Sequence, residues 1–148
     1  MLRVGGSLGL VWNTRDSSVA YVKQLESLID RHYPPDVPRQ QSQAWRRIFE
    51  SQALRSRGVA FTPLLSQTVA TKQTVDEATL LDRVLSISVI ARKSQQERDD
   101  IADEIRQLLR SHPQTARAVD SGQLFELPYV TDFHICRKLP PSNSRSAA

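Results

Sequence analysis

Gly5-Gly6-Ser7-Leu8-Gly9-Leu10-Val11-Trp12-Asn13 reads as a tight turn running into a short strand whose apolar side chains fall on both alternating faces. A strand apolar on both faces fits a parallel sheet covered on each side, with neighbours along both edges. Only six residues precede it, so the first strands of the sheet are expected upstream. Met1-Leu2-Arg3 would then close a helix that leads into the Gly5-Gly6 turn of a βαβ unit.

Downstream the period changes. Val19, Val22, Leu25, Leu28 and Ile29 share one helical face, with Asp16, Ser17 or Ser18 available as N-cap, and Pro34-Pro35 forbids continuation beyond Tyr33. Residues 34–43 form a polar loop. Trp45, Ile48 and Phe49 then recur at i, i+3 and i+4, which predicts a short amphipathic helix, either pocket cover or routine packing. The β-branched residues around Thr68, Val69 and Thr71 predict a strand within Ser66 to Lys72.

Thr74-Val75-Asp76-Glu77 has the form of a capping box ahead of a helix carrying Leu80, Leu81, Val84, Leu85 and Ile87. Ser94-Gln95-Gln96-Glu97 repeats the device, opening a helix with Ile101, Ile105, Leu108 and Leu109 inward, which Pro113 stops. The last strand is Leu124 to Arg137. Phe125, Leu127, Tyr129, Phe133 and Ile135 are expected on its buried face, and Pro128 points to an edge position or a bulge. The order strand, helix, short helix, strand, helix, helix, strand is an α/β pattern with too few strands.

Composition narrows the function classes. The 148 residues are 39% hydrophobic, below the roughly 45–50% of an average globular domain, so the core is lean. No stretch approaches the ~18 apolar residues of a membrane span, no secretory signal opens the chain, and a cytoplasmic protein is expected. Cys136 is the one cysteine, so no internal disulfide forms. The net charge is +4, but the 16 arginines and 4 lysines are scattered among 16 acids rather than gathered into a basic run, which argues against a nucleic-acid partner. The last residues, 139–148, have the composition of a disordered tail.

Four pieces together resemble a known family. Leu2-Arg3-Val4-Gly5-Gly6 leading into Ser7–Asn13, then Val11-Trp12-Asn13-Thr14-Arg15-Asp16, then Asp82-Arg83-Val84-Leu85-Ser86-Ile87-Ser88, and finally Glu126-Leu127-Pro128-Tyr129-Val130-Thr131-Asp132 occur in the order found in class I S-adenosylmethionine-dependent methyltransferases. The likeness is to those of the methyltransferase type 11 and trans-aconitate methyltransferase-like kind. Val4 stands where those proteins usually carry proline. The resemblance covers residues 2–138 and implies a partial Rossmann-like methyltransferase sheet with flanking helices whose first strands are missing. It also implies S-adenosyl-L-methionine as the cofactor of the complete domain.

The family's glycine-rich turn for that cofactor and its ribose-binding acid belong upstream of Met1, so this chain is expected to supply no cofactor-binding residue. Gly5-Gly6-Ser7-Leu8-Gly9 precedes a strand instead of opening a helix, so its amides would not converge on a ligand.

Trp12, Asn13 and Arg15 follow a strand toward its carboxyl end, where open α/β sheets bind ligands. They are the candidate substrate-binding residues, Arg15 for a carboxylate, Trp12 as a wall and Asn13 as a polar contact. Equally, Trp12 is core and Arg15 pairs with Asp16 or Asp36. Asp132, His134 and Cys136 share a strand face, but spacing of ~6.6 Å between neighbours is too wide for bonds of ~2.0–2.3 Å to one metal, so they are structural and no metal is expected. His32 and His112 suit helix ends at the surface.

The sequence therefore predicts the C-terminal, substrate-side part of a methyltransferase acting on a small molecule, inactive alone. Catalytic residues are not identifiable, because methyl transfer needs alignment and desolvation more than acid–base groups. The alternative is a non-enzymatic interaction module that self-associates through its open sheet edge.

Overall fold

A computed structural model of the chain describes residues 2–37 and 42–141. It is a mixed α/β structure with an open antiparallel sheet. In chain order the elements are β1 (Ser7–Arg15), α1 (Ala20–Asp30), a 3-10 turn (Ala44–Arg46), α2 (Arg47–Glu50), α3 (Gln52–Ser56), β2 (Ala60–Phe61) and β3 (Leu65–Val75). There follow α4 (Glu77–Leu85), α5 (Ser88–Ala91), α6 (Gln95–Ser111), α7 (Ala116–Asp120) and β4 (Phe125–Leu139). Of the tail expected from residue 139, Leu139 closes β4 and residues 142–148 lie outside the described residues, as do residues 38–41 of the polar loop.

β4 pairs with β1 along one edge and with β2 and β3 along the other. Gly5 N–H donates to the Lys138 carbonyl, Lys138 N–H to that of Gly6, and Asp16 N–H to that of Pro128, so β1 and β4 are antiparallel. β2 is antiparallel to β4 as well, with Ala60 opposite Leu139. The parallel sheet expected from the first strand is thus overturned. So is two-sided burial of β1: its residues alternate between half-buried and exposed, and Val11 is 59% exposed. Apolar residues on both faces record what a strand would bury, while distant elements decide what is covered.

The central place of β4 corrects the edge position read from Pro128. Pro128 lies opposite Asp16, one residue past the end of β1, so the ladder loses only a terminal rung to the missing N–H.

The chain divides into two compact units. Unit 2, Asn13–Pro35 with Ala70–Val130, holds the hydrophobic core. In it α6 packs against α1, α4 and α7, and Leu25, Ile29, Leu80, Ile105, Leu109 and Leu127 are fully buried, each contributing about 1.5–3 kcal/mol.

The box at Ser94 and Glu97 forms in both directions. The second expected box does not: Asp76, not Thr74, caps α4, its carboxylate accepting Thr79 N–H at 2.7 Å. The helix expected through Ile87 breaks into α4 and α5, and α1 begins after Val19 with no side-chain cap.

Unit 1 comprises the described residues of Met1–Trp12, Asp36–Val69 and Thr131–Ala148. It contains the segmented helices α2 and α3. Here β4 departs from the expected pattern, for His134 and Cys136 are buried while Phe133 and Ile135 are exposed. At its entry Gly5 adopts φ +77°, a left-handed conformation that glycine takes without strain, and a Cβ on Gly6 would stand 2.9 Å from the Arg3 carbonyl.

Candidate functional site

In unit 2 the end of β1, the start of α1, β3 and the start of β4 enclose a groove of about 830 Å³ lined by Asp16, Val19, Tyr21, Lys72, Phe125 and Pro128, among others. Its polar groups are held in place. The Asp16 carboxylate accepts Ser18 N–H at 3.0 Å, and hydrogen bonding from Ser18 holds its carboxyl below the ordinary range. Tyr21 donates its hydroxyl to the Glu126 carbonyl oxygen. Burial, reinforced by the nearby charge of Glu126, pushes the Tyr21 phenol up to about 12, so at neutral pH it is a donor and not a base. Lys72 pairs with the Glu126 carboxylate at 2.7 Å at the rim. The groove offers an ionised carboxylate, an ammonium and apolar walls, suited to holding and orienting a small molecule.

The three candidate substrate residues divide between the units. Trp12 belongs to unit 1, where its ring lies 4.4 Å from that of Trp45 and 5.6 Å from the His134 imidazole. Asn13 is exposed on β1 in unit 2. Arg15 pairs with neither Asp16 nor Asp36 but with Glu26 of α1, at 2.5 Å, and its Nε is buried without a hydrogen-bond partner. Its charge is therefore already balanced. Tyr21, Lys72 and Glu126, which the sequence did not single out, line the groove instead; their positions in the chain carry no recognisable spacing.

In unit 1 His134 is 4% exposed. Ser66 Oγ is 2.7 Å from its Nδ1, and Arg46 Nη2 is 3.4 Å from the same nitrogen. A guanidinium can only donate, so Nδ1 accepts and the proton resides on Nε2 by inference from the network. Burial, with the charge of Arg46 adding to it, lowers the His134 pKa, and the imidazole is neutral at pH 7. Cys136 is buried and its thiol pushed up by burial, which makes it unreactive. His32 is half-buried, its pKa lowered by burial first. Among the described residues no three His, Cys, Asp or Glu side chains gather closely enough to hold a metal ion, and no helix is long and apolar enough to cross a membrane.

The glycine turn does not fit a cofactor cradle. Gly5 N–H is spent on the Lys138 carbonyl and Gly6 N–H on that of Arg3. Gly58 and Gly122 each follow a helix C-terminus rather than open a helix.

The chain is 32% identical over 134 residues to an uncharacterized methyltransferase of Mycobacterium tuberculosis H37Rv, and equally to one of Mycobacterium bovis. These matches take in 88% of the chain and 46% of each relative, so the chain spans about half the length of the curated relatives it matches. An uncharacterized methyltransferase-like protein of Schizosaccharomyces pombe is 39% identical over 49 residues, 33% of this chain and 19% of that protein. A crystal structure of a candidate methyltransferase from Bacillus halodurans overlaps 93% of this chain and 58% of its own with a TM-score of 0.40 and 16% identity, too low to bear on the fold. No protein-family profile matches. The resemblance carried by the four motifs is thus met by relatives named methyltransferases along most of the chain.

Proposed function

We propose that this chain forms the C-terminal, acceptor-side part of an S-adenosyl-L-methionine-dependent methyltransferase acting on a small molecule, and that it does not hold the cofactor by itself. The supporting observation is the 32% identity to proteins named methyltransferases over 88% of the chain, of which the chain spans less than half. The cofactor, when bound, supplies an activated methyl group. What this chain contributes is alignment and exclusion of water. Asp16 and Lys72 orient the acceptor in the groove, Tyr21 keeps its proton on Oη, and Phe125 and Pro128 form dry walls. Asn13 and Arg15 belong to the same acceptor side, Arg15 acting as a positioning residue through Glu26, while Trp12 anchors the aromatic cluster of unit 1.

The test has two arms. The chain alone is titrated with S-adenosyl-L-methionine and with S-adenosylhomocysteine by calorimetry and melting. No saturable heat and no rise in Tm are expected, whereas a ligand at 100 times its Kd would add about 2.7 kcal/mol, several degrees in a domain of this size. The chain joined to the coding sequence upstream of Met1 is then assayed for transfer of labelled methyl to small-molecule acceptors. Saturable binding by the chain alone overturns the view that the cofactor is held elsewhere. Absence of both binding and transfer in the extended protein overturns the methyltransferase reading.

A second reading is favoured by the exposed Val11 on β1, an end strand of the described sheet, and by exposed Phe133 and Ile135 in the same unit. Such an edge pairs with another copy, making the chain a self-associating interaction module. Light scattering at micromolar concentration should then give a dimer that Val11→Lys dissociates, and a well-folded monomer removes this reading.

A further inference from the structure

Charge is divided unevenly between the units. The sequence of unit 1 carries nine arginines and lysines against three acids, and that of unit 2 eleven against thirteen. Every ion pair between described residues at the distances found lies in unit 2, involving Arg15, Arg31, Lys72, Lys93, Arg106 and Arg110. Among the described residues, the arginines and lysines of unit 1 make no ion pair at these distances.

Two of them converge on a cleft. Arg46, Phe49, Glu50, Arg55, Phe61 and Thr62 line a space of about 330 Å³ in unit 1, closed further by Pro63 and Leu64. Phe49 and Phe61 meet edge to face at 5.4 Å and form an apolar wall. Arg46 is pre-oriented: its Nε donates to Gln43 Oε1 at 2.6 Å and its guanidinium carbon sits 5.0 Å from the centre of the Trp45 ring. Among the described residues neither Arg46 nor Arg55 has a carboxylate partner.

A fixed guanidinium without a counter-ion, beside a second arginine and two phenyl rings, is the chemistry that recognises a planar carboxylate. The volume is at the lower end for small-molecule sites, and Glu50, on the same lining, offsets one of the two arginines, so the cleft's charged side chains leave one positive charge for a single carboxylate to balance. The geometry points to a binding site in this cleft for a small monocarboxylate with a flat apolar body, its carboxylate on Arg46 and Arg55 and its body against Phe49 and Phe61. Nothing in the methyltransferase reading requires it, so the two stand or fall separately.

Trp12 and Trp45 are the only tryptophans of the chain, and both lie in the aromatic cluster beside Arg46. Their fluorescence therefore reports occupancy directly. The full chain is titrated at fixed ionic strength with benzoate and with its neutral isostere benzamide. Benzoate is expected to give a saturable change and benzamide to bind at least about tenfold more weakly. Arg55→Gln, at an exposed position, should weaken benzoate by about tenfold while leaving Tm unchanged. Arg46→Gln should do the same, and if it fails to fold the Arg55 variant alone decides. Equal affinity for the two ligands, an unsaturable response, or benzoate binding unaffected by Arg55→Gln overturns the site. Methyl transfer and cofactor binding are not read in this experiment, so its failure cannot be confused with failure of the methyltransferase reading.

Discussion

Arg15, the last residue of β1, meets Glu26 on α1 at 2.5 Å, with the two side chains only 15% and 16% exposed. The pair ties the end of a strand to the first helix at the place where substrate contacts were expected from position alone. Glu26→Gln strands a buried guanidinium whose Nε already lacks a partner, and should lower stability by roughly 3 kcal/mol, the low end for a broken buried pair. Replacing both, Arg15→Met with Glu26→Leu, should recover most of the loss. Urea unfolding of the three variants measures it, and a loss below ~1 kcal/mol for Glu26→Gln would show that the pair behaves as a solvated one.

Tyr21 should ionise well above the ordinary tyrosine range. Its raised pKa means that the folded state holds the phenolic proton more tightly than the unfolded chain, whose value is 10.0. The resulting stability is fully present below pH 10 and is lost as pH rises toward 12. Ultraviolet difference titration of wild type should show a step displaced toward pH 12 that Tyr21→Phe lacks. The variant should also be about 1 kcal/mol less stable at pH 7, the ordinary worth of the hydrogen bond to Glu126.

His134 gives the opposite sign. Its folded pKa is depressed by burial and by Arg46, so below 6.5 the unfolded chain binds a proton that the folded chain refuses. Stability is therefore complete above 6.5 and falls as pH drops below it. Asp132, the one acid acting in the other direction, does not reverse it. Replacing His134 with Asn should flatten the stability profile between pH 7 and 5, leaving a smaller slope from His32, whose pKa is also lowered. An unchanged slope in the variant would show that His134 does not titrate in unfolding.

Core and sheet face should respond very differently to truncation. Ile105 is fully buried between the helices of unit 2, and Ile105→Ala should cost about 2–5 kcal/mol. Val11, exposed on β1, should tolerate serine within about 0.5 kcal/mol. Thermal melts of both variants settle the contrast.

What could be read in the sequence was what depends on neighbours in the chain. Ser94 and Glu97 form their box because both partners lie within one turn. Thr74 lost its role to Asp76, because β3 runs on through Val75 and the helix starts at Glu77, so the cap falls on Asp76 with Thr79 N–H as its donor. Helix faces such as Val22, Leu25 and Ile29 were legible from period alone. The partners of His134 were not, since Ser66 and Arg46 lie 68 and 88 positions away and meet it only through the sheet and the short helices. Arg15 likewise found Glu26 because a helix, not a loop, returned to it.

β4 keeps one alternation while changing which parity is hidden. Phe125, Leu127 and Tyr129 are buried in its first part and His134 and Cys136 in its last. The bonds from Asp16 N–H to the Pro128 carbonyl and from Lys138 N–H to the Gly6 carbonyl keep one offset, so no residue is gained or lost between them, and the extra residue, Gly5, also bonded to Lys138, lies at the entry to β1. The strand therefore counts. Deleting one residue between Val130 and Phe133 would bring odd and even sets into phase and turn one of them outward, however conservative the remaining side chains. Natural variation in this stretch should accordingly consist of substitutions and not of insertions or deletions, and a one-residue deletion at Thr131 should unfold the sheet where Thr131→Ala does not.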